Sequence, residues 1–157
     1  LMFAAFILPV AALGQAKQIN EILDKYEKKK NVESILISPQ LLQIAGTSNV
    51  DAKTRDLLSK INEMRIVNIK VSALENGTPV WLSLKGELET LTSGDLFTRV
   101  VKLQEGDELL EMYMTKNSQG ALLFLSTTPK EYSVISIFGN IDKTVINAAM
   151  TGGIKVK

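Results

Sequence analysis

Four apolar stretches, Phe97–Gln104, Glu108–Lys116, Ala121–Thr127 and Tyr132–Phe138, follow one another with short breaks at Glu105-Gly106-Asp107, Asn117-Ser118-Gln119-Gly120 and Thr128-Pro129-Lys130. Runs of this length, rich in β-branched and aromatic residues and bounded by turn formers, read as strands. Breaks this short cannot carry the crossover that joins parallel neighbours, so consecutive strands must run antiparallel. The C-terminal part of the chain therefore predicts a four-strand meander, and the rest must pack against it.

The preceding segments supply the packing partners. Ile19, Ile22, Leu23 and Tyr26 recur at spacings of three and four, which predicts a helix over Lys17–Lys30 that Asn31 stops. Lys25, Lys28, Lys29 and Lys30 crowd its end, as a solvated helix terminus or as an anchor for anionic lipid. Val32–Ile37 reads as a strand; Ser38 then caps a short helix that starts at Pro39 and runs through Ile44, followed by the polar loop 46–49. Asp51 caps a helix carrying Leu57, Leu58 and Ile61. Val67, Ile69, Val71 and Ala73 alternate with polar residues along a half-buried strand over Arg65–Ala73. After the turn at Asn76-Gly77, Trp81, Leu84, Leu88 and Leu91 form one helical stripe, and a final helix over Ile141–Met150 presents Ile141, Val145, Ile146 and Ala149. Helices flanking an uninterrupted run of strands predict an α+β domain: one mainly antiparallel sheet with a C-terminal four-strand meander and amphipathic helices packed on one face.

The first fourteen residues differ from the rest. Leu1–Gly14 is apolar and uncharged, contains Pro9, is too short to span a bilayer, and ends on Ala12-Leu13-Gly14 before Gln15. This predicts a signal peptide over residues 1–14 and a single domain over 15–157 with a short C-terminal tail. The competing reading is a buried N-terminal helix or an uncleaved anchor.

Composition removes most catalytic chemistry. The 157 residues include no Cys and no His, so disulfides, thiol nucleophiles, lipobox lipidation, the usual zinc centres and Ser-His-Asp triads are excluded. Eighteen basic against seventeen acidic residues give a net charge of +1, with the signs interleaved, which argues against nucleic-acid binding. Neither a Gly-rich phosphate loop nor an SxxK or GxSxG nucleophile motif occurs. Glu87 and Glu89 sit two apart on a helix and do not face each other, and the acidic group Glu105, Asp107, Glu108 and Glu111 lacks the alternation of a calcium loop. No motif calls for a cofactor or a metal. Met112, Met114 and Phe124 on the meander are the candidate wall of an apolar ligand pocket, or else core.

The order of these features, with Asn31-Val32-Glu33-Ser34-Ile35-Leu36-Ile37-Ser38, Phe97-Thr98-Arg99-Val100-Val101-Lys102, Glu111-Met112-Tyr113 and Ile135-Ser136-Ile137-Phe138-Gly139-Asn140-Ile141-Asp142, resembles the domain-of-unknown-function family 4252, small exported proteins of Bacteroidota. The Trp-bearing segment Pro79–Leu91 departs from that pattern. The resemblance implies a periplasmic or extracellular location and a role in envelope signalling, and it supplies no active-site residues. The expected function is a non-enzymatic interaction or sensing module whose partner is an envelope protein. Such a module predicts an exposed apolar patch or an unpaired sheet edge, and an exposed edge would also permit a homodimer. The alternative is a carrier of a small apolar ligand or lipid, with its pocket behind the meander; an enzyme comes third.

Overall fold

The computed structural model describes residues 10–41, 44, 51–116 and 119–151. It is an α+β domain built on a six-stranded antiparallel sheet. Helix α1 (Val10–Tyr26) leads through a turn, closed by Asn31 at φ 62°, into β1 (Val32–Ile37). The Ser38 hydroxyl accepts from the Leu41 backbone N–H and starts the helical turn at Pro39. Helix α2 (Ala52–Ser59) is capped by Asp51, whose carboxylate takes the Thr54 N–H at 2.7 Å. Strand β2 (Ile61–Lys70) follows, then a two-residue hairpin between β3 (Leu74–Glu75) and β4 (Thr78–Pro79). Asn76 and Gly77 both take positive φ there, as a type I′ turn demands. Helix α3 (Val80–Thr92) carries the chain to the far edge. Strands β5 (Phe97–Glu105), β6 (Glu108–Thr115), β7 (Gln119–Thr127) and β8 (Glu131–Asn140) then walk back until β8 meets β2. The strand order is β1-β2-β8-β7-β6-β5, and α4 (Lys143–Thr151) closes the described chain.

The four-strand meander stands as its turns predict. Other boundaries shift for identifiable reasons. Ile61 does not continue α2: it pairs with Gly139 in β2, while the Lys60 N–H returns to Leu57 O and ends the helix. Strand β2 stops at Lys70, because the Val71 N–H bonds to Lys130 O and the Ala73 N–H turns back to Lys70 O. Helix α1 ends at Tyr26, so Lys28, Lys29 and Lys30 lie in the turn beyond it. Its start at Val10 carries it through the expected processing point at Gln15. Residues 1–9, the polar loop 46–49 and the tail 152–157 lie outside the described residues.

The helices cover both faces of the sheet, not one. On the first face Ile19, Leu23 and Tyr26 of α1 and Val80, Leu84 and Leu88 of α3 pack on Val67, Ile69, Leu123, Leu125 and Val134. On the second face Leu57 and Leu58 of α2 and Val145 and Ile146 of α4 join Ile61, Met112, Leu122, Phe124 and Ile137. The reason lies in the central strands. Ala121-Leu122-Leu123-Phe124-Leu125 is apolar without alternation, so both of its faces demand cover.

Candidate interaction edge

A sheet opened at both ends leaves two edges, and they differ. Strand β5 is guarded: a bulge between Arg99 and Val101 breaks its register, and Arg99 and Lys102 lie along it. Bulges and charges are the usual protection of an edge against further pairing. Strand β1 has neither a bulge nor a basic side chain. All six of its residues pair with β2 in unbroken register, Glu33 is its single charge, and Ile35 and Leu36 stand 43% and 59% exposed on opposite faces. Among the described residues no strand lies on its outer side.

The backbone groups that β1 offers outward follow from the ladder. The Lys70 N–H donates to Asn31 O at 3.4 Å, and Val32 stands opposite Ile69. That bond makes Val32–Ile69 a non-hydrogen-bonded pair, and pairs alternate along an antiparallel ladder. Glu33, Ile35 and Ile37 therefore turn their N–H and C=O groups toward β2. Ser34 and Leu36 turn theirs outward. The Val32 N–H is already taken by Lys29 O at 3.3 Å.

Side chains behind this edge tie the neighbouring strand β2 to α1. Arg65 on β2, opposite Leu36, is only 4% exposed. Its Nη1 donates to Asp24 Oδ1 at 2.7 Å and its Nη2 to Glu27 Oε2 at 2.9 Å, which clamps α1 to the sheet. Asn20 bridges Arg65 and Glu63 at 3.4 Å to each. Toward α3, Tyr26 and Lys25 both donate to Glu87, and Lys29 reaches Glu75 at 2.6 Å. Burial raises the Tyr26 hydroxyl, and its bond to Glu87 adds to that, so it remains a donor at any physiological pH. Burial also raises the Glu87 carboxyl, but Lys25 and Tyr26 outweigh it and leave the group below its ordinary value.

The residues singled out as a pocket wall lie in the core of the second face. Met112 is fully buried, Phe124 nearly so and Met114 half-buried, packed with Leu122, Ile137, Ile141 and Val145. Two grooves among the described residues are lined by other side chains. One, about 530 Å³, runs between α1 and α3 past Gln18, Ile22, Lys25, Glu87 and Leu91; the other, about 270 Å³, lies by Asn31, Val32, Asn68 and Glu131. Trp81 is half-buried against Tyr132, ring centroids 5.9 Å apart, with Lys85 above it. Glu111 accepts from the Tyr113 hydroxyl at 2.9 Å. No three acids among the described residues converge on a metal position.

A family model for a domain of unknown function, DUF4252, matches residues 26–149, from the last residue of α1 into α4. The chain belongs to that family. The match takes in every strand of this DUF4252 domain, including the bare β1 edge and Arg65 behind it. No curated protein and no solved structure matches. No helix among the described residues is long and apolar enough to cross a membrane.

Arg65 is the residue that sequence reading passed over. Its parity with Val67 and Ile69 places it on the buried face of β2, and that signal was present. The exposure of Ile35 and Leu36 depends on strand order, which no local pattern encodes.

Proposed function

We propose that this DUF4252 protein is a non-enzymatic component of the cell envelope, exported to the periplasm or beyond on its N-terminal signal, and that it works as an interaction or sensing module in envelope signalling. The observation that supports this most is the β1 edge: unbulged, nearly uncharged, flanked by exposed Ile35 and Leu36, and backed by a clamped helix. An extended segment of an envelope-protein partner would add to the sheet there, drawing affinity from backbone bonds to Ser34 and Leu36 and selectivity from side chains beside Ile35.

The test places a photo-crosslinking residue at Leu36, and at Val100 on the guarded edge as control, in the chain from Gln15 onward with a C-terminal tag, and irradiates envelope fractions. A discrete adduct at Leu36, absent at Val100 and lost in Ser34→Pro, is the expected result. Ser34→Pro deletes an outward N–H and leaves the β1–β2 ladder intact. Equal labelling at both edges, or adducts that ignore Ser34→Pro, would refute the docking edge. Recovery of the chain alone with a co-purified small mass would favour the carrier, with Met112, Met114 and Phe124 lining its site.

A further inference from the structure

The β1 edge fits one particular strand well: its own copy. We infer that the chain associates as a two-fold dimer through antiparallel β1–β1 pairing centred on Ile35, giving a continuous twelve-stranded sheet. This rests on β1 being the docking edge, and it names the partner.

Symmetry and hydrogen-bond parity select the register. In a two-fold antiparallel pair the same patch meets itself, so the numbers of facing residues have a constant sum. Only Ser34 and Leu36 have both backbone groups free and outward. Pairing Ser34 with Leu36 of the second copy satisfies both residues on both chains with four bonds, and it sets Ile35 opposite Ile35. Centring on Ser34 would enlist Val32, whose N–H is bonded to Lys29 O; centring on Leu36 would pair Ser34 with Ser38, beyond the strand.

The side chains suit the register that the backbone selects. Ile35 belongs to a row of apolar residues that crosses the whole second face: Ile35, Ile66, Ile135, Phe124, Met112 and Val101 are successive cross-strand neighbours. Ile35 ends that row with 43% of its surface exposed. Its own copy would extend the row at a non-hydrogen-bonded pair, where facing side chains approach most closely. On the other face each Leu36 lies diagonal to Leu36 of the second copy across the axis. The charges agree as well. Glu33 faces Ile37, and Lys30 faces Gln40, so no like charges meet. The seam is short, and association is therefore weak and concentration-dependent.

The sequence contains no Cys, so one introduced cysteine can bridge only to its own copy. In the proposed register Ile35→Cys brings two Cα atoms about 4.5 Å apart, within disulfide reach. Ile37→Cys leaves its pair about 14 Å apart, four residues out of step. Mild oxidation of each variant is read on a non-reducing gel, beside sedimentation of the unmodified chain and of Ser34→Pro over a range of concentrations. The expected result is a covalent dimer from Ile35→Cys and none from Ile37→Cys, with Ile37→Cys joining Glu33→Cys when the two are mixed. Ser34→Pro should weaken association about tenfold or more, since it removes one donated bond from each copy. Equal bridging at 35 and 37, or a dimer that Ser34→Pro leaves unchanged, would overturn the proposal. A chain that stays monomeric while Leu36 still crosslinks to a different envelope protein would overturn the dimer and keep the docking edge. Silence in both experiments would remove both.

Discussion

At the scale of single residues, Arg65 is a cation that is costly to strand, because it is buried. Its side chain is 5% exposed, whereas its partners Asp24 and Glu27 are 61% and 38% exposed. The consequences of breaking the cluster are therefore asymmetric. Removing both acids leaves a buried cation unpaired, while removing the cation leaves two carboxylates that water can reach. The double change Asp24→Asn with Glu27→Gln should cost about 3 kcal/mol, and Arg65→Met, which keeps the packed stem, clearly less. Urea unfolding midpoints of the two variants would show the order, and a reversed order would contradict the buried clamp. Gly139 is a second such point. At φ 153° it lies against the Lys60 carbonyl, and a Cβ there would overlap that oxygen. Gly139→Ala should cost about 2 kcal/mol or more in the same assay.

Residue-scale electrostatics also fix the response to acid. The Lys60 ammonium holds Asp142 below its ordinary value, Thr54 does the same for Asp51, and Lys25 with Tyr26 outweighs burial at Glu87. Each is a carboxylate that the fold keeps deprotonated, so the unfolded chain takes up protons first as pH falls. The stability that these groups contribute is fully present above the usual carboxylate range of about 4 and is lost as pH drops through their lowered folded values. Melting temperatures of Glu87→Gln between about pH 6 and pH 3 should fall less steeply than those of the unmodified chain. An unchanged slope would mean that Glu87 does not carry its share of the acid response.

At the scale of elements, legibility followed locality. The meander could be read because Gly106 and the other turn formers punctuate it, and Gly106 indeed takes φ 59°. The caps at Ser38 and Asp51 were legible for the same reason, since a cap is a contact within a few residues. What failed was non-local. Leu57, Leu58 and Ile61 have helical spacing, yet Ile61 is claimed by Gly139, 78 positions away, and belongs to β2. Helix α1 tests how far tertiary anchoring matters to one element. Leu23 is wholly buried between α1 and the sheet, and Leu23→Ala should cost about 3 kcal/mol. Limited proteolysis should then cut first near the α1–β1 turn, and cutting in the meander instead would show that α1 is not the weakest part of that variant.

At the scale of the whole molecule, the sheet is a wall shared by two cores. Helices flanking a run of strands predict packing on one face, and that expectation fails at β7, whose apolar run Ala121–Leu125 does not alternate and leaves both of its faces to be covered. The bare edge was equally hidden, because only the return of β8 to β2 leaves β1 outermost. A shared wall implies that the two cores melt together. Leu84→Ala on the first face and Leu122→Ala on the second should each lower stability by about 3 kcal/mol without splitting a single calorimetric transition. Two resolved peaks in either variant would show that the faces unfold separately.

The sheet also sorts the chromophores. Trp81, Tyr26, Tyr113 and Tyr132 all pack on the side of α1 and α3. Met64, Met112 and Met114 all pack on the side of α2 and α4. Indole emission therefore sees only one half of the protein, and the methyl resonances of Met64, Met112 and Met114 see only the other. A ligand or partner engaging the second face would leave the fluorescence silent and move the methyl spectrum, so a binding screen that relied on tryptophan alone would miss it.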